Sequence, residues 1–177
     1  MHRYLKRTMR PPYSLSIILL AAALCLSGCN RGRKGARLDA SRQMEPMIEA
    51  LRGAYAAFNR GDMDEAVEPL DAAIEWTEPA EFPGGGTYHG RDEVKRYLTQ
   101  SREAWAEARS EPEQFLRAGD RIVVLVHARV RAKGSGAWQD VRLADVYTIH
   151  NGKATQMRAF ADRRDALGWA GVEGLEH

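Results

Sequence analysis

The stretch VRLADVYTIHNGKATQMRAF, residues 141–160, decides the fold class because it predicts two strands joined by a tight turn. Asn-Gly at 151–152 is a residue pair that two-residue β-hairpin turns prefer. Side chains alternate between the two faces of a strand, and one face of the first strand is apolar. That face contains Val141, Leu143, Tyr147 and Ile149. Asp145 lies in the middle of it, and a carboxyl group placed there is paired, protonated or used in function.

Helices are predicted at the start of the folded region. The first helix ends at Asn59-Arg60-Gly61, and Asp62 has the pattern of an N-cap that opens a second, short helix reaching Leu70. Apolar side chains recur along the first helix at a spacing of three and four residues. They are Met44, Met47, Ile48, Leu51, Tyr55 and Phe58.

A strand and a third helix follow. The segment AIEWTEP, residues 73–79, places Trp76 and Glu78 on one face before Pro79 ends the pairing. The loop EFPGGGTYHG, residues 81–90, leads to a helix that we expect Glu111-Pro112 to close. The predicted buried stripe of this helix is Val94, Tyr97, Leu98, Ser101, Trp105 and Ala108.

The remaining residues predict strands and one short helix. RIVVLVHARV, residues 121–130, alternates like the opening stretch, and Asp162 has the pattern of a cap for a final helix that ends at Gly168. Helices first and an antiparallel meander last predict the α+β class.

The N-terminal residues have the layout of a bacterial export signal. Four basic residues lie within the first ten, and an apolar run from Leu15 to Leu26 follows, which is short for a membrane span. This run ends in Leu26-Ser27-Gly28-Cys29, which resembles the lipobox, whose Cys is joined to diacylglycerol before cleavage. We therefore expect a lipoprotein attached to a membrane through Cys29 on the extracytoplasmic side of the cell envelope; the alternative is a signal-anchor helix that stays on the chain.

Charge and cysteine content agree with this division. Removal of residues 1–28 would take four of the 26 basic residues and none of the 24 acidic residues, which leaves a formal charge of −2. The basic segment at 29–39 is either a spacer or a contact for anionic headgroups. The acidic remainder argues against nucleic-acid binding. The mature chain would contain Cys29 alone, so we expect no disulfide and no thiol nucleophile.

Four segments are expected. They are a lipoprotein signal peptide at 1–28, a basic lipidated tether at 29–39, a single folded domain at 40–171 and a tail at 172–177.

Three segments together resemble the nuclear-transport-factor-two-like superfamily, which includes ketosteroid isomerase and the SnoaL-like polyketide cyclases. They are YAAFNRGDMDEAVEPLDAAIEWTEP from residue 55, YHGRDEVKRYL from residue 88 and DVYTIHNGKATQMRAF from residue 145. The resemblance spans nearly all of residues 51–170. It implies a cone-shaped, curved antiparallel sheet wrapped around the N-terminal helices, with a pocket opening inside. It does not imply one activity, because this fold supports several.

The resemblance also implies roles for individual residues. The general base of the isomerase, an acid followed by Pro, corresponds to Glu78, and the protonated acid that donates to the substrate oxyanion corresponds to Asp145. The oxyanion Tyr corresponds to Ala54, so the nearest phenol in this chain is Tyr55. The opposite interpretation is that Glu78 points to solvent and that Asp145 accepts hydrogen bonds from a Tyr, a Trp or Arg158.

The candidate ligand-binding residues are Trp76, Tyr147, Met157, Phe160 and His89. Core packing explains most of these aromatic and apolar side chains equally well. The five histidines are scattered without ligand spacing, so we expect no metal site, and no cofactor is implied. The glycines at 84–86 lack the residues of a phosphate-binding loop.

Two functions remain open. The first is a non-catalytic module that binds a small apolar or amphipathic molecule, and the second is an isomerase- or cyclase-like enzyme that uses Glu78 and Asp145. A homodimer is also expected through the outer sheet face, where Val123, Leu125 and Val146 lie among arginines.

Overall fold

The computed structural model describes residues 44–134 and 136–172. The chain runs through four helices and six strands in these residues. They are α1 (44–60), α2 (Met63–Ala66), β1 (Leu70–Glu78), β2 (Gly86–His89), α3 (Arg91–Glu103), β3 (Glu107–Ala118), β4 (Arg121–Arg131), β5 (Trp138–His150), β6 (Lys153–Phe160) and α4 (Arg163–Ala170). Cys29 and the predicted signal and tether lie outside the described residues, so the lipid anchor stays a prediction.

The six strands form one curved sheet in the order β2-β1-β6-β5-β4-β3. Neighbouring strands are antiparallel except β1 and β6, which run parallel. The expected Asn-Gly hairpin joins β5 to β6, with positive φ angles of 50° at Asn151 and 74° at Gly152, as a type I′ turn requires. The α+β prediction is confirmed.

Helix α1 is held against the sheet at its C-terminal end. Asn59 exchanges two hydrogen bonds with the backbone of Ser110 on the edge strand β3, at 2.8 and 2.9 Å. Arg102 donates to the carbonyl oxygens of Phe58 and Asn59, both at 3.1 Å. These bonds satisfy backbone groups that a helix end and a sheet edge leave open.

The predicted second helix is shorter than expected. Asp62 caps α2, since its side chain accepts from the backbone N–H of Glu65 at 3.1 Å. However, α2 ends at Ala66, and Leu70 begins β1. Pro69 disfavours the helical conformation at the residue before it, so the helix cannot continue to Leu70.

The prediction for residues 104–112 was wrong. Helix α3 ends at Glu103, and Ala108 and Pro112 belong to strand β3. Pro112 is tolerated there because β3 is an edge strand and its pairing with β4 shifts register between Pro112 and Gln114. The strand β2 was also missed, within the loop predicted at 81–90.

The two faces of the sheet carry separate apolar clusters. On the inner face, α1 and α3 pack against residues such as Ile74, Val124 and Met157. On the outer face, α4 contributes Ala166 and Ala170 to a cluster with Val123 and Val146.

Helix α4 extends beyond its predicted end. It passes Gly168 and ends at Ala170, followed by Gly171 in the left-handed conformation with φ 75°. The backbone N–H of Val172 donates to the Leu167 carbonyl at 2.9 Å. These are the contacts of a Schellman-type cap.

Helix α4 also covers much of the apolar outer face that we expected a second copy to cover. Val123 and Val146 are buried beneath it, and Leu125 packs against the same cluster. The homodimer stays a prediction, but an uncovered apolar outer face no longer supports it. Among the described residues, no helix combines the length and apolar character needed to cross a membrane.

Candidate functional site

A cavity of about 220 Å³ opens between the inner face of the sheet and helices α1 and α3. Most of its lining is aromatic or aliphatic, and it includes both predicted acids, Glu78 and Asp145. Helix α1 contributes Ala54 and Tyr55 to the wall. The position that corresponds to the oxyanion Tyr of the isomerase and the nearest phenol in this chain therefore both border the cavity.

Asp145 lies on the inner face of β5 with 9% of its surface exposed. The Tyr55 hydroxyl donates a hydrogen bond to Asp145 Oδ2, and the hydroxyls of Tyr55 and Tyr147 are 3.3 Å apart. Burial raises the pKa of Asp145 to about 6, and the bond from Tyr55 opposes this rise. The acid is therefore buried beside phenols, with its charged form disfavoured by loss of water.

Arg158, the cation considered as a partner for Asp145, lies on the other face of the sheet. Its guanidinium carbon is 5.3 Å from the ring centre of Phe160 and 5.9 Å from that of Trp169. Strand alternation explains this, because Arg158 is adjacent to Met157, which faces inward.

Glu78 ends β1 and lines the cavity, so the interpretation that it points to solvent was wrong. Trp76 Nε1 donates to Glu78 Oε1 at 2.8 Å, and Tyr97 also forms a side-chain hydrogen bond with the carboxyl group. Burial and, after it, the negative charge of Asp145 raise the pKa of Glu78 to about 7, although these two bonds act to lower it. The two carboxyls therefore interact electrostatically within one cavity.

The order of the two pKa values differs from the order that the isomerase resemblance implies. That resemblance requires a protonated Asp145 and an ionised Glu78. Here the pKa of Glu78, about 7, is higher than that of Asp145, about 6. The cavity therefore does not separate the two pKa values in the way that this resemblance requires.

A short loop closes one side of the cavity with Phe82 and Pro83. Two turns hold it, since Phe82 N–H donates to the Pro79 carbonyl at 3.1 Å and Gly85 N–H donates to the Phe82 carbonyl at 2.8 Å. A Cβ atom at Gly85 would lie 2.2 Å from the Pro79 carbonyl oxygen. This close approach explains the glycine at 85, and the loop positions apolar side chains at the rim.

Of the five candidate ligand-binding residues, the structure places Trp76 and Tyr147 in the cavity wall. Their rings meet edge to face, with centres 6.2 Å apart. Met157 is fully buried in the core, whereas Phe160 packs against Trp169 on the outer face. Side chains alternate along a strand, so residues three positions apart lie on opposite faces. His89 is exposed in a separate depression before α3.

Sequence reasoning missed the role of Tyr97 in the site. Its ring stacks on Tyr88, with centres 4.3 Å apart, and it bonds to Glu78. Burial and the charge of Glu78 raise the pKa of Tyr97 above its usual value. The signal was present, because Tyr97 lies on the predicted buried stripe of α3, but nothing in the sequence paired it with Glu78.

No group of three or more His, Cys, Asp or Glu residues suited to a metal ion occurs within residues 44–134 and 136–172. His127 bonds to Asp140 with an N–O distance of 2.7 Å on the outer face, and His150 is exposed.

A family model identifies the class to which this fold belongs. Residues 51–157 match the SnoaL-like domain, so the chain belongs to the SnoaL-like family. No curated protein matches the chain.

Solved structures with the same fold include three informative neighbours. An NTF2-like protein of unknown function from Burkholderia pseudomallei is 30% identical, with TM-score 0.60, over 69% of this chain and 95% of that one. TerC, co-crystallised with polyporic acid, is 26% identical, with TM-score 0.60, over 71% of this chain and 98% of that one. A hypothetical protein from Catenulispora acidiphila with a ketosteroid isomerase-like fold, in complex with trimethylamine, is 16% identical, with TM-score 0.57, over 71% of this chain and 92% of that one. This last similarity shows the fold alone.

Proposed function

We propose that the domain binds a small molecule that is apolar over most of its surface and has one polar group. The observation that carries this proposal is the presence of two carboxyls, Glu78 and Asp145, in the wall of an otherwise mainly apolar cavity. Ligand pockets typically combine apolar walls with a few polar groups that orient the ligand.

The size and setting of the cavity support a small ligand. Its volume, about 220 Å³, is near the lower end of the usual range of ligand pockets, which begins at roughly 300 Å³. Apolar side chains at the rim, such as Phe82 and Val141, suit a ligand that is amphipathic. A neighbour with 26% identity, TerC, was co-crystallised with an organic ligand, polyporic acid.

A cavity-filling substitution tests the binding function. Ala54 lines the cavity, whereas Ala56 is exposed two residues further along the same helix. Addition of 4-ethylphenol, an uncharged probe, should shift the NMR signal of the Trp76 indole N–H in the unmodified chain. We expect Ala54→Leu to abolish this shift and Ala56→Leu to retain it.

Two results would contradict the proposal. One is a Trp76 signal that does not respond to the probe at any soluble concentration. The other is an equal response in Ala54→Leu and in the unmodified chain.

A second candidate function is proton transfer next to a carbonyl group. It is favoured by the meeting of Glu78, Asp145 and Tyr55 around one cavity, and by a pKa of Glu78 of about 7. A general base works best when its pKa is near the operating pH. In this mechanism the Glu78 carboxylate takes a proton from carbon and protonated Asp145 donates a hydrogen bond to the carbonyl oxygen, so substrate binding has to keep the proton on Asp145 rather than on Glu78.

Deuterium exchange tests this second candidate. A small β,γ-unsaturated cyclic ketone in D₂O should gain deuterium faster with the protein than without it. Glu78→Gln should slow the protein-dependent rate at least about 100-fold, and Glu75→Gln, on the exposed side of β1, should not. The absence of any protein-dependent exchange would leave the binding function alone.

Attachment to a membrane is proposed from the sequence, because the lipobox follows a basic and apolar leader. Labelled palmitate should be incorporated by the unmodified chain. Cys29→Ala should abolish the label, whereas Cys25→Ala, within the predicted signal, should retain it. A label that persists in Cys29→Ala would refute lipidation at this residue.

A further inference from the structure

The two carboxyls of the cavity are held only by neutral donors among the described residues. Trp76 and Tyr97 bond to Glu78, and Tyr55 bonds to Asp145. Within residues 44–134 and 136–172, neither acid takes part in a salt bridge. The cavity therefore brings two acids together without a cation that would neutralise them.

Arg109 is the basic residue in the cavity wall, but its side chain forms no salt bridge with Glu78 or Asp145. It is exposed, and its neighbours in β3, Ala108 and Ser110, are the half-buried ones. Because successive side chains of a strand alternate, Arg109 faces the opposite side of β3 from these two residues. Glu78 and Asp145 therefore have no cationic partner among the described residues, and a ligand can supply that charge.

Aromatic rings surround the same space. Six of them are Phe58, Trp76, Phe82, Tyr97, Trp105 and Tyr147. The faces of such rings attract cations, and the attraction strengthens where water is excluded. A carboxylate in the same enclosed space adds a direct charge interaction, which low polarity also strengthens.

From this arrangement we infer that the cavity selects a small amphipathic molecule with a basic amine, whose ammonium group lies between the two carboxyls and the aromatic rings. This inference rests on the proposed binding function and names the ligand class for the same site. An anionic ligand would be repelled by the two acids, and a neutral ligand would gain hydrogen bonds alone.

The inference has a consequence for pH. The groups that face the two acids are Tyr55 of α1, Tyr88 of β2, Tyr97 of α3 and Tyr147 of β5, and each of these phenols has a pKa above its usual value. They stay neutral up to pH 8. The acids themselves ionise between pH 5.5 and 8, so affinity for an amine should rise across this range, with release of protons.

Three probes of matched size test the inference on the purified full chain. They are benzylamine, benzyl alcohol and benzoate, measured by isothermal titration calorimetry at pH 5.5 and pH 8. At pH 8 benzylamine should bind at least tenfold more tightly than benzyl alcohol, and benzoate should bind most weakly. At pH 5.5 the advantage of benzylamine should be several-fold smaller.

Variants show whether the acids cause this preference. Glu78→Gln and Asp145→Asn should each weaken benzylamine binding about tenfold at pH 8 and change benzyl alcohol binding less than threefold. Glu75→Gln, on the exposed side of the same strand, should change neither. If a cavity variant fails to fold, the selectivity of the unmodified chain at the two pH values decides.

The outcomes separate this inference from the binding function. If benzyl alcohol or benzoate binds as tightly as benzylamine, and Ala54→Leu abolishes that binding, the pocket stands and the amine inference is wrong. A benzylamine preference that Glu78→Gln and Asp145→Asn both leave unchanged also overturns it. Failure of all three probes to bind contradicts both proposals.

Discussion

Helix α4 fills the outer face of the sheet, whereas α1 and α3 leave a cavity on the inner face. On the outer face, Val123, Val146 and Ala166 are buried in a cluster. On the inner face, Asp145 is the buried charged residue, and about 220 Å³ remains open beside it. Two adjacent residues of one strand, Asp145 and Val146, therefore have opposite environments.

This difference separates packing from function within one sheet. Small apolar side chains on both sides of the α4 contact allow close packing, and the guanidinium carbon of Arg121 lies 4.1 Å from the Trp169 ring centre. On the inner side, bulky rings hold the walls apart and hydroxyl and indole groups bond to the acids. An acid is tolerated only where such donors exist.

The largest effect is expected from an acid placed on the outer face, beneath α4. Val123→Asp would bury a carboxyl beneath α4 among apolar neighbours such as Leu116 and Val146. We expect a loss on the order of 3–5 kcal/mol in the free energy of unfolding, measured with urea. The same change at exposed Val141 should cost less than about 1 kcal/mol. Similar costs at the two positions would show that α4 does not seal the outer face.

Removing the inner acid should have an effect that depends on pH. The folded-state pKa of Asp145 is about 6, above its usual 3.8, so the folded state binds the proton more tightly than the unfolded state. Stability is therefore highest below the usual value and falls as the pH rises to about 6. In Asp145→Asn the free energy of unfolding should fall about 2–3 kcal/mol less over this pH range, because Asn does not ionise. The Asn side chain can still accept the hydrogen bond from Tyr55.

Urea unfolding at pH 4, 5, 6 and 7 measures this effect. Glu78 should cause a further fall up to about pH 7 in the unmodified chain, and this fall should end at a lower pH in Asp145→Asn, where the charge of Asp145 no longer raises the pKa of Glu78. If Asp145→Asn is instead less stable at pH 7 by about 1–3 kcal/mol, the ionised carboxylate is a structural acceptor. A carboxyl NMR titration that gives Asp145 an ordinary pKa would exclude its role as a protonated donor.

The smallest effect concerns the phenol next to the acid. The bond from Tyr55 lowers the pKa of Asp145, so Tyr55→Phe should raise that pKa above about 6. The loss of one buried hydrogen bond should cost about 1 kcal/mol of stability. Tyr147→Phe is the control, because Tyr147 contacts the hydroxyl of Tyr55. An equal pKa change in both variants, read by carboxyl NMR, would contradict a specific Tyr55–Asp145 bond.

Local pattern was reliable where one strong preference acted. Helical spacing predicted most of the buried residues of α1, including Tyr55, and strand alternation placed Trp76 and Asp145 on the inner face. The hairpin at Asn151-Gly152 followed from turn chemistry. In each case the preference for a helix, a strand or a turn depends on residues that are close in sequence.

Local pattern failed where distant pairing decided the structure. Glu107, Ala108 and Arg109 have good helix propensity, yet they form β3 because β4 pairs with them. The loop glycines concealed the strand β2, which pairs with the end of β1. Such pairing energy comes from residues far away in sequence.

The sequence by itself determined the α+β class, the inward position of Asp145 and the apolar character of its surroundings. Only the tertiary structure decided that Glu78 faces the same cavity, that Tyr55 and Tyr97 bond to the two acids, and that Phe160 lies on the other side of the sheet. The physical reason is that alternation and helical spacing assign faces within one element. The distance between groups on different elements, and hence their hydrogen bonds and pKa values, depends on how those elements pack.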